Sequence, residues 1–152
     1  MSIIKAKYLE QVIARVNAVA SMSESNRLKV GVIFLRDNRC ILDGFNGLAP
    51  GTEGTMEGPD GLTLPDVVHA ERNAIQYAAR KGISLEGTTA VISHAPCLEC
   101  AKALHGVGVN WVVYLDHYKT EDGINYLYRN GRRCISIDQV RLMNKATNDY
   151  PK

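Results

Sequence analysis

The sequence contains no apolar run approaching the ~18–20 residues needed to cross a bilayer as a helix. It also has no cluster of four or more basic residues, no internal repeat and no low-complexity tract. The first absence excludes a helical membrane span. The second, with 18 Lys and Arg against 16 Asp and Glu and a formal net charge of +2, gives no support to polymeric nucleic acid as a partner. A small phosphorylated substrate, which needs only one or two cations, stays compatible with that balance. The opening stretch MSIIKAKYLEQVI lacks the order of a signal peptide, because charges interrupt every apolar run, so a cytoplasmic location is expected. What is present is ordinary for a globular chain. Hydrophobic residues make up 45% of 152 positions, which excludes disorder, and the length suits one domain with a core that needs no disulfide staples.

The apolar pattern alternates between helix and strand. Lys5 to Ser21 carries Tyr8, Leu9, Val12, Ile13, Val16 and Val19 at helical spacing. Val30 to Leu35 and Cys40 to Phe45 flank the turn residues Asp37 and Asn38, as in a hairpin. Residues 47–65 hold five of the thirteen glycines and three of the five prolines, a loop long enough to suggest function. Beyond it the pattern predicts a helix over Ala70 to Lys81 capped by Gly82, a strand over Thr88 to Ser93 and a helix over Cys97 to His105. A strand over Asn110 to Leu115, a helix over Glu121 to Arg129, a strand over Cys134 to Ile137 and a short helix near Val140 to Lys145 follow. Five strands alternating with helices imply crossover units, hence an α/β fold of three layers, α/β/α, around a mixed five-stranded sheet.

The four cysteines are Cys40, Cys97, Cys100 and Cys134. In a cytosolic chain they are not expected to pair as disulfides. Cys40 and Cys134 fall in predicted strands and read as small buried hydrophobes. Cys97 and Cys100 follow Pro96 at a predicted helix start, where i and i+3 share a face and the helix N-terminus favours thiolate. His69 opens another helix. Alone, the CxxC pair also fits a redox motif and the histidine a cap. Together, His69-Ala70-Glu71 and Pro96-Cys97-Leu98-Glu99-Cys100 form the H-x-E…P-C-x-x-C signature of zinc deaminases. One nitrogen and two sulfurs leave a fourth position on zinc, as in a catalytic site and unlike a closed structural one. Glu71, two residues past a ligand, sits where it can exchange protons with a water without binding the metal.

These residues lie within RLKVGVIF (27–34), GFNG (44–47), VVHAERNAI (67–75), SHAPCLECAKAL (93–104) and VVYLDHY (112–118). Over that stretch the chain resembles the deoxycytidylate deaminases of the cytidine deaminase superfamily, phage-encoded members included, which would place a phage enzyme in the host cytoplasm. The resemblance implies a single deaminase domain over residues 1–152, with a cytidine-deaminase-like fold and hydrolysis of dCMP to dUMP upstream of thymidylate synthesis. It makes His69, Cys97 and Cys100 the ligands of one zinc per chain and Glu71 the proton shuttle. Asn46 matches the family's asparagine at the sugar and phosphate, and also reads as a turn residue between glycines. Tyr118 falls where the family keeps an aromatic beside the substrate, or simply packs. Arg27 suits a monophosphate better than Lys29 does, with plain surface charge as its other reading. Ala70 completes the substrate-binding set.

Some family members carry a second, structural zinc on cysteines and histidines ahead of the HAE motif. Residues 47–66 contain neither, so one zinc is expected. The resemblance also implies a homohexamer regulated by dCTP and dTTP, with magnesium on the regulatory nucleotide near GFNG. His94 is expected beside the ligands and not among them, and His105 and His117 at the surface. Trp111 reads either as core or as interface. The rival readings are a deaminase of cytidine or deoxycytidine, of a free base or of tRNA adenosine, and a non-catalytic zinc module.

Overall fold

The computed structural model describes residues 3–147. In chain order the elements are α1 (Ala6–Ala20), β1 (Gly31–Arg36), β2 (Arg39–Phe45), α2 (Ala70–Lys81), β3 (Thr89–His94), α3 (Leu98–Gly106), β4 (Trp111–Asp116), α4 (Asp122–Arg129), β5 (Arg133–Ser136) and α5 (Ile137–Ala146). The five strands form one mixed sheet in the order β2-β1-β3-β4-β5. β1 runs antiparallel to β2 and β3, and β3, β4 and β5 run parallel.

The strands read as nearly unbroken apolar runs because both sheet faces are covered. Val32, Phe34, Ala90, Ile92 and Val112 point to one face, under α2, α3 and α4. Ile33, Leu35, Val91, Val113 and Ile135 point to the other, under α1 and α5. The hairpin between β1 and β2 turns on Asp37 and Asn38, both with positive φ (53° and 63°), the left-handed pair of a type I′ loop.

The expected elements are present, with one shift at the C-terminal end. Ile137 belongs to the last helix and not to the last strand, and that helix is ten residues long. The cause is a capping box: Ser136 Oγ accepts from the Gln139 N–H at 3.2 Å and Gln139 Oε1 accepts from the Ser136 N–H at 2.8 Å, which starts the helix at once. Cys134 is buried as expected, whereas Cys40 is only half-buried. Trp111 packs partly against the α1/α5 side of the core with the Arg133 guanidinium 4.9 Å from its ring centroid. Among the described residues no helix is long and apolar enough to cross a membrane.

The strand directions gather one end of the sheet. Gly31 pairs with Phe45, and Val32 with Ile92, while His94 lies opposite Asp116. The start of β1 and the carboxyl ends of β2, β3 and β4 therefore share one edge. Segments 27–30, 46–47, 94–97 and 117–119 all emerge there, outside the carboxyl ends of strands where open α/β sheets place their sites.

Candidate metal centre and its cleft

His69 reaches this edge because the chain ahead of it is pinned to the end of β2. Val68 and Gly47 exchange backbone hydrogen bonds of 2.9 and 3.1 Å. Asn73 Nδ2, one turn into α2, donates to the Phe45 carbonyl at 3.0 Å. Gly44 lets the helix lie directly on the strand: a Cβ there would stand 2.8 Å from Ala74 Cβ and 2.9 Å from the Ala70 carbonyl. Cys97 is the N-cap of α3, its Sγ accepting from the Cys100 N–H at 3.5 Å. Helix α4 backs this turn through Gly123, where a Cβ would collide with the Pro96 carbonyl oxygen and stand 2.9 Å from that of Cys97.

The starts of α2 and α3 thus bring three soft or borderline donors together. His69 Nδ1 lies 3.6 Å from Cys97 Sγ and 3.4 Å from Cys100 Sγ, and all three donor atoms fall within 4.8 Å of one another. A tetrahedral zinc with ~2.3 Å bonds to sulfur and ~2.0–2.1 Å bonds to nitrogen sets its N···S edges at about 3.6 Å. Both N···S distances match that ion, so the donor set fits it. His69 is exposed, Cys97 half-buried and Cys100 buried, so the trio is closed on the protein side and open toward the cleft. Of the three donors only Cys97 already leans toward the deprotonated form that ligation needs. Hydrogen bonds from Cys100 and then His69 bring the Cys97 thiol down to about 4. The bond to Cys97 raises His69, and Cys100, sharing its proton with Cys97 and buried, is pushed upward.

Glu71 lies in the first turn of α2 and is 4% exposed. Burial raises its proton affinity. It lines the cleft with His69, Ala70, Cys97, Arg27, Asn46 and Tyr118. Of the residues expected at the site, only Cys100 does not face this space, lying behind the others as a buried donor. Arg27 reaches the cleft and Lys29 does not.

Asn46 holds a double role. Its Oδ1 accepts from the Val30 N–H and its Nδ2 donates to the Leu28 carbonyl, both at 2.9 Å. It clamps the segment that carries Arg27, and one N–H and one lone pair of the amide remain for a ligand. His94 lines the cleft next to the ligands, its Nδ1 3.0 Å from Ser93 Oγ. His105 sits at the end of α3 with Nδ1 3.1 Å from Tyr126 Oη, and His117 is exposed against Tyr114. Lys119, Thr63 and Val67 also line the cleft and were not expected there. Lys119 directly follows Tyr118 and was within reach of the sequence reading, whereas nothing in the spacing of residues 47–65 marks Thr63.

The sequence profile described as the cytidine and deoxycytidylate deaminase zinc-binding region matches residues 6–116. ComE operon protein 2 of Bacillus subtilis is 32% identical over 134 residues, 85% of this chain and 69% of that protein. The deoxycytidylate deaminase of Enterobacteria phage T4 is 44% identical over 77 residues, 49% of this chain and 40% of that protein, so the match spans well under half of the phage T4 enzyme. Among solved structures, dCMP deaminase from the cyanophage S-TIM5, crystallised with dCMP and dUMP, superposes with a TM-score of 0.83 at 30% identity, covering 88% of this chain and 98% of that one.

Proposed function

The chain belongs to the cytidine and deoxycytidylate deaminase family, and from that premise we propose that it hydrolyses dCMP to dUMP and ammonia. The observation that carries this reading is the joining, in one cleft, of the His69–Cys97–Cys100 donor set, the buried Glu71 carboxyl and the guanidinium-bearing Arg27. The likeness to an enzyme that holds dCMP and dUMP supports it.

His69, Cys97 and Cys100 would hold one zinc, which would supply a water acidified at neutral pH. Glu71 takes a proton from the attacking water and passes it to ring N3 as C4 gains the oxygen. It then takes the proton of the new C4 hydroxyl and gives it to the exocyclic amine, so that the C4–O bond becomes a carbonyl, the C4–N bond breaks and ammonia leaves. A buried carboxyl with raised proton affinity suits both directions of that exchange. Arg27 supplies a fork of donors for the 5′-phosphate, Asn46 the remaining amide valences for the sugar and phosphate, and Tyr118 a wall beside the ring. Ala70 presents no bulk where the base approaches.

The test is turnover of dCMP, deoxycytidine and cytosine side by side. A preference for dCMP in kcat/KM supports the reading, and equal turnover of the three overturns it. Running the same assay with dCTP plus magnesium, and with dTTP, tests whether the regulation implied by the family resemblance extends to this chain. Sedimentation of the zinc-loaded protein tests the hexamer.

A further inference from the structure

The segment between β2 and α2 is built and not loose. Leu64 N–H donates to the Met56 carbonyl at 2.8 Å and Gly58 N–H to the Leu62 carbonyl at 2.9 Å. Glu57 and Thr63 pair as an antiparallel bridge, Asp60 Oδ1 accepts from the Leu62 N–H at 2.9 Å, and Met56 is buried. The result is a small hairpin over residues 56–64, with Thr63 on the wall of the cleft.

From this hairpin Glu57 reaches across to the chain ahead of β1. Its Oε1 accepts from Ser25 Oγ at 2.7 Å, from the Asn26 N–H at 3.0 Å and from the Arg27 N–H at 3.2 Å. Ser25 is 4% exposed, and its hydroxyl oxygen also accepts from the Leu28 N–H at 3.2 Å. On the other side Asn46 grips Leu28 and Val30, and Ser23 Oγ donates to the Asn46 carbonyl at 2.9 Å. The backbone of Arg27 is therefore held between two clamps, one from GFNG and one from the glycine-rich segment. Arg27 itself forms no ion pair among the described residues, and Glu57 acts on it through the backbone anchorage and a longer-range attraction between the two charges.

We propose that Glu57 is a positioning residue for nucleotide recognition: it fixes the Arg27 backbone so that the guanidinium meets the substrate phosphate. This rests on the reading of the chain as a dCMP deaminase. Charge-assisted hydrogen bonds to backbone N–H groups are the strong kind, and Glu57→Ala leaves two N–H groups without their acceptor. Glu57→Gln keeps a neutral carbonyl acceptor and keeps part of the effect.

The experiment measures kcat and KM for dCMP and deoxycytidine in the zinc-loaded wild type, Glu57→Ala, Glu57→Gln, Arg27→Ala and the Arg27→Ala/Glu57→Ala double variant, with thermal denaturation alongside. Loss of a charged anchor of this kind is expected to raise KM for dCMP about tenfold, more than it lowers kcat, and to cut the dCMP-to-deoxycytidine selectivity by the same factor. Glu57→Gln should fall between, which keeps the test decisive if the alanine variant fails to fold. In the double variant the loss of selectivity should equal that of Arg27→Ala alone, since Glu57 acts through Arg27. Equal losses on both substrates, additive losses in the double variant, or unchanged selectivity in both Glu57 variants would overturn the positioning role. A wild type that does not prefer dCMP fails the functional reading itself, and is seen before any variant is made.

Discussion

Two carboxyls and a thiol separate what a residue's neighbours in sequence reveal from what its neighbours in space decide. Glu71 was legible because the H-x-E spacing on a helix start carries its chemistry. Glu71→Ala is expected to keep the metal and the fold while kcat for deamination falls by about 10²–10⁴-fold, the range for losing a proton-transfer group. Zinc content and kcat on one preparation check this, and retained activity would refute the shuttle role. Glu57 was not legible, because it stands in a glycine-rich stretch without periodicity, and its partners lie 30 to 32 residues away. Cys134 shows burial acting on a titration. Its thiol is pushed from 9.0 up to about 12 by desolvation. Between those values the unfolded chain gives up this proton and the folded chain keeps it, so stability falls as pH rises through that window. The stability gap between wild type and Cys134→Ala, read from urea unfolding, should therefore narrow between about pH 8 and about pH 10. A gap that does not change with pH would show that the buried thiol is not the source.

Helix starts carry the site, and how tightly each helix seats decides whether the donors meet. The sequence made α2 and α3 visible through Pro96, Gly82 and the apolar spacing, and it placed His69 and Cys97 at their first turns. It could not show how closely those helices are backed. That depends on Gly44 beneath α2 and Gly123 against the Pro96–Cys97 turn, and a glycine in sequence looks the same whether it makes a turn or admits a neighbour. The strand expected over Cys134 to Ile137 stops one residue short for a similar reason. A single reciprocal cap between Ser136 and Gln139 outweighed the β-branched run that suggested continued strand. Glycine 123 yields the sharper expectation. Adding a methyl group there forces α4 off the metal-binding turn, at a cost of about 1–3 kcal/mol for an overpacked contact. Gly123→Ala should unfold at lower urea concentration and release zinc to a competing chelator faster than wild type. Unchanged zinc release would mean that α4 does not brace Cys97.

At the scale of the molecule the donor set brings together the starts of two helices on one face of a sheet that is filled on both faces. Phe34, Ile92, Leu104 and Val112 are fully enclosed on the α2/α3/α4 side, and Val16, Ile33, Val91 and Val113 on the α1/α5 side. This two-sided core was the most legible property of the sequence, since runs such as VGVIFL and NWVVYL need cover above and below. Such a core does not depend on the ion for its existence, unlike the small domains that are unfolded without zinc. The donors stand at helix starts at the rim of that core, with only Cys100 buried, so the ion is expected to add its binding free energy to a fold that stands without it. Removing zinc with a chelator is then expected to abolish deamination and lower the Tm, while the far-UV circular dichroism and the urea m-value stay those of the loaded protein. Activity should return when zinc is restored. Loss of the helical signal on chelation would instead make the metal the keystone of the domain, and the open coordination position would lose its catalytic rationale. The near-balanced net charge of +2 is compatible with the proposed mononucleotide substrate, which asks only for cations such as Arg27 and Lys119 in the cleft lining.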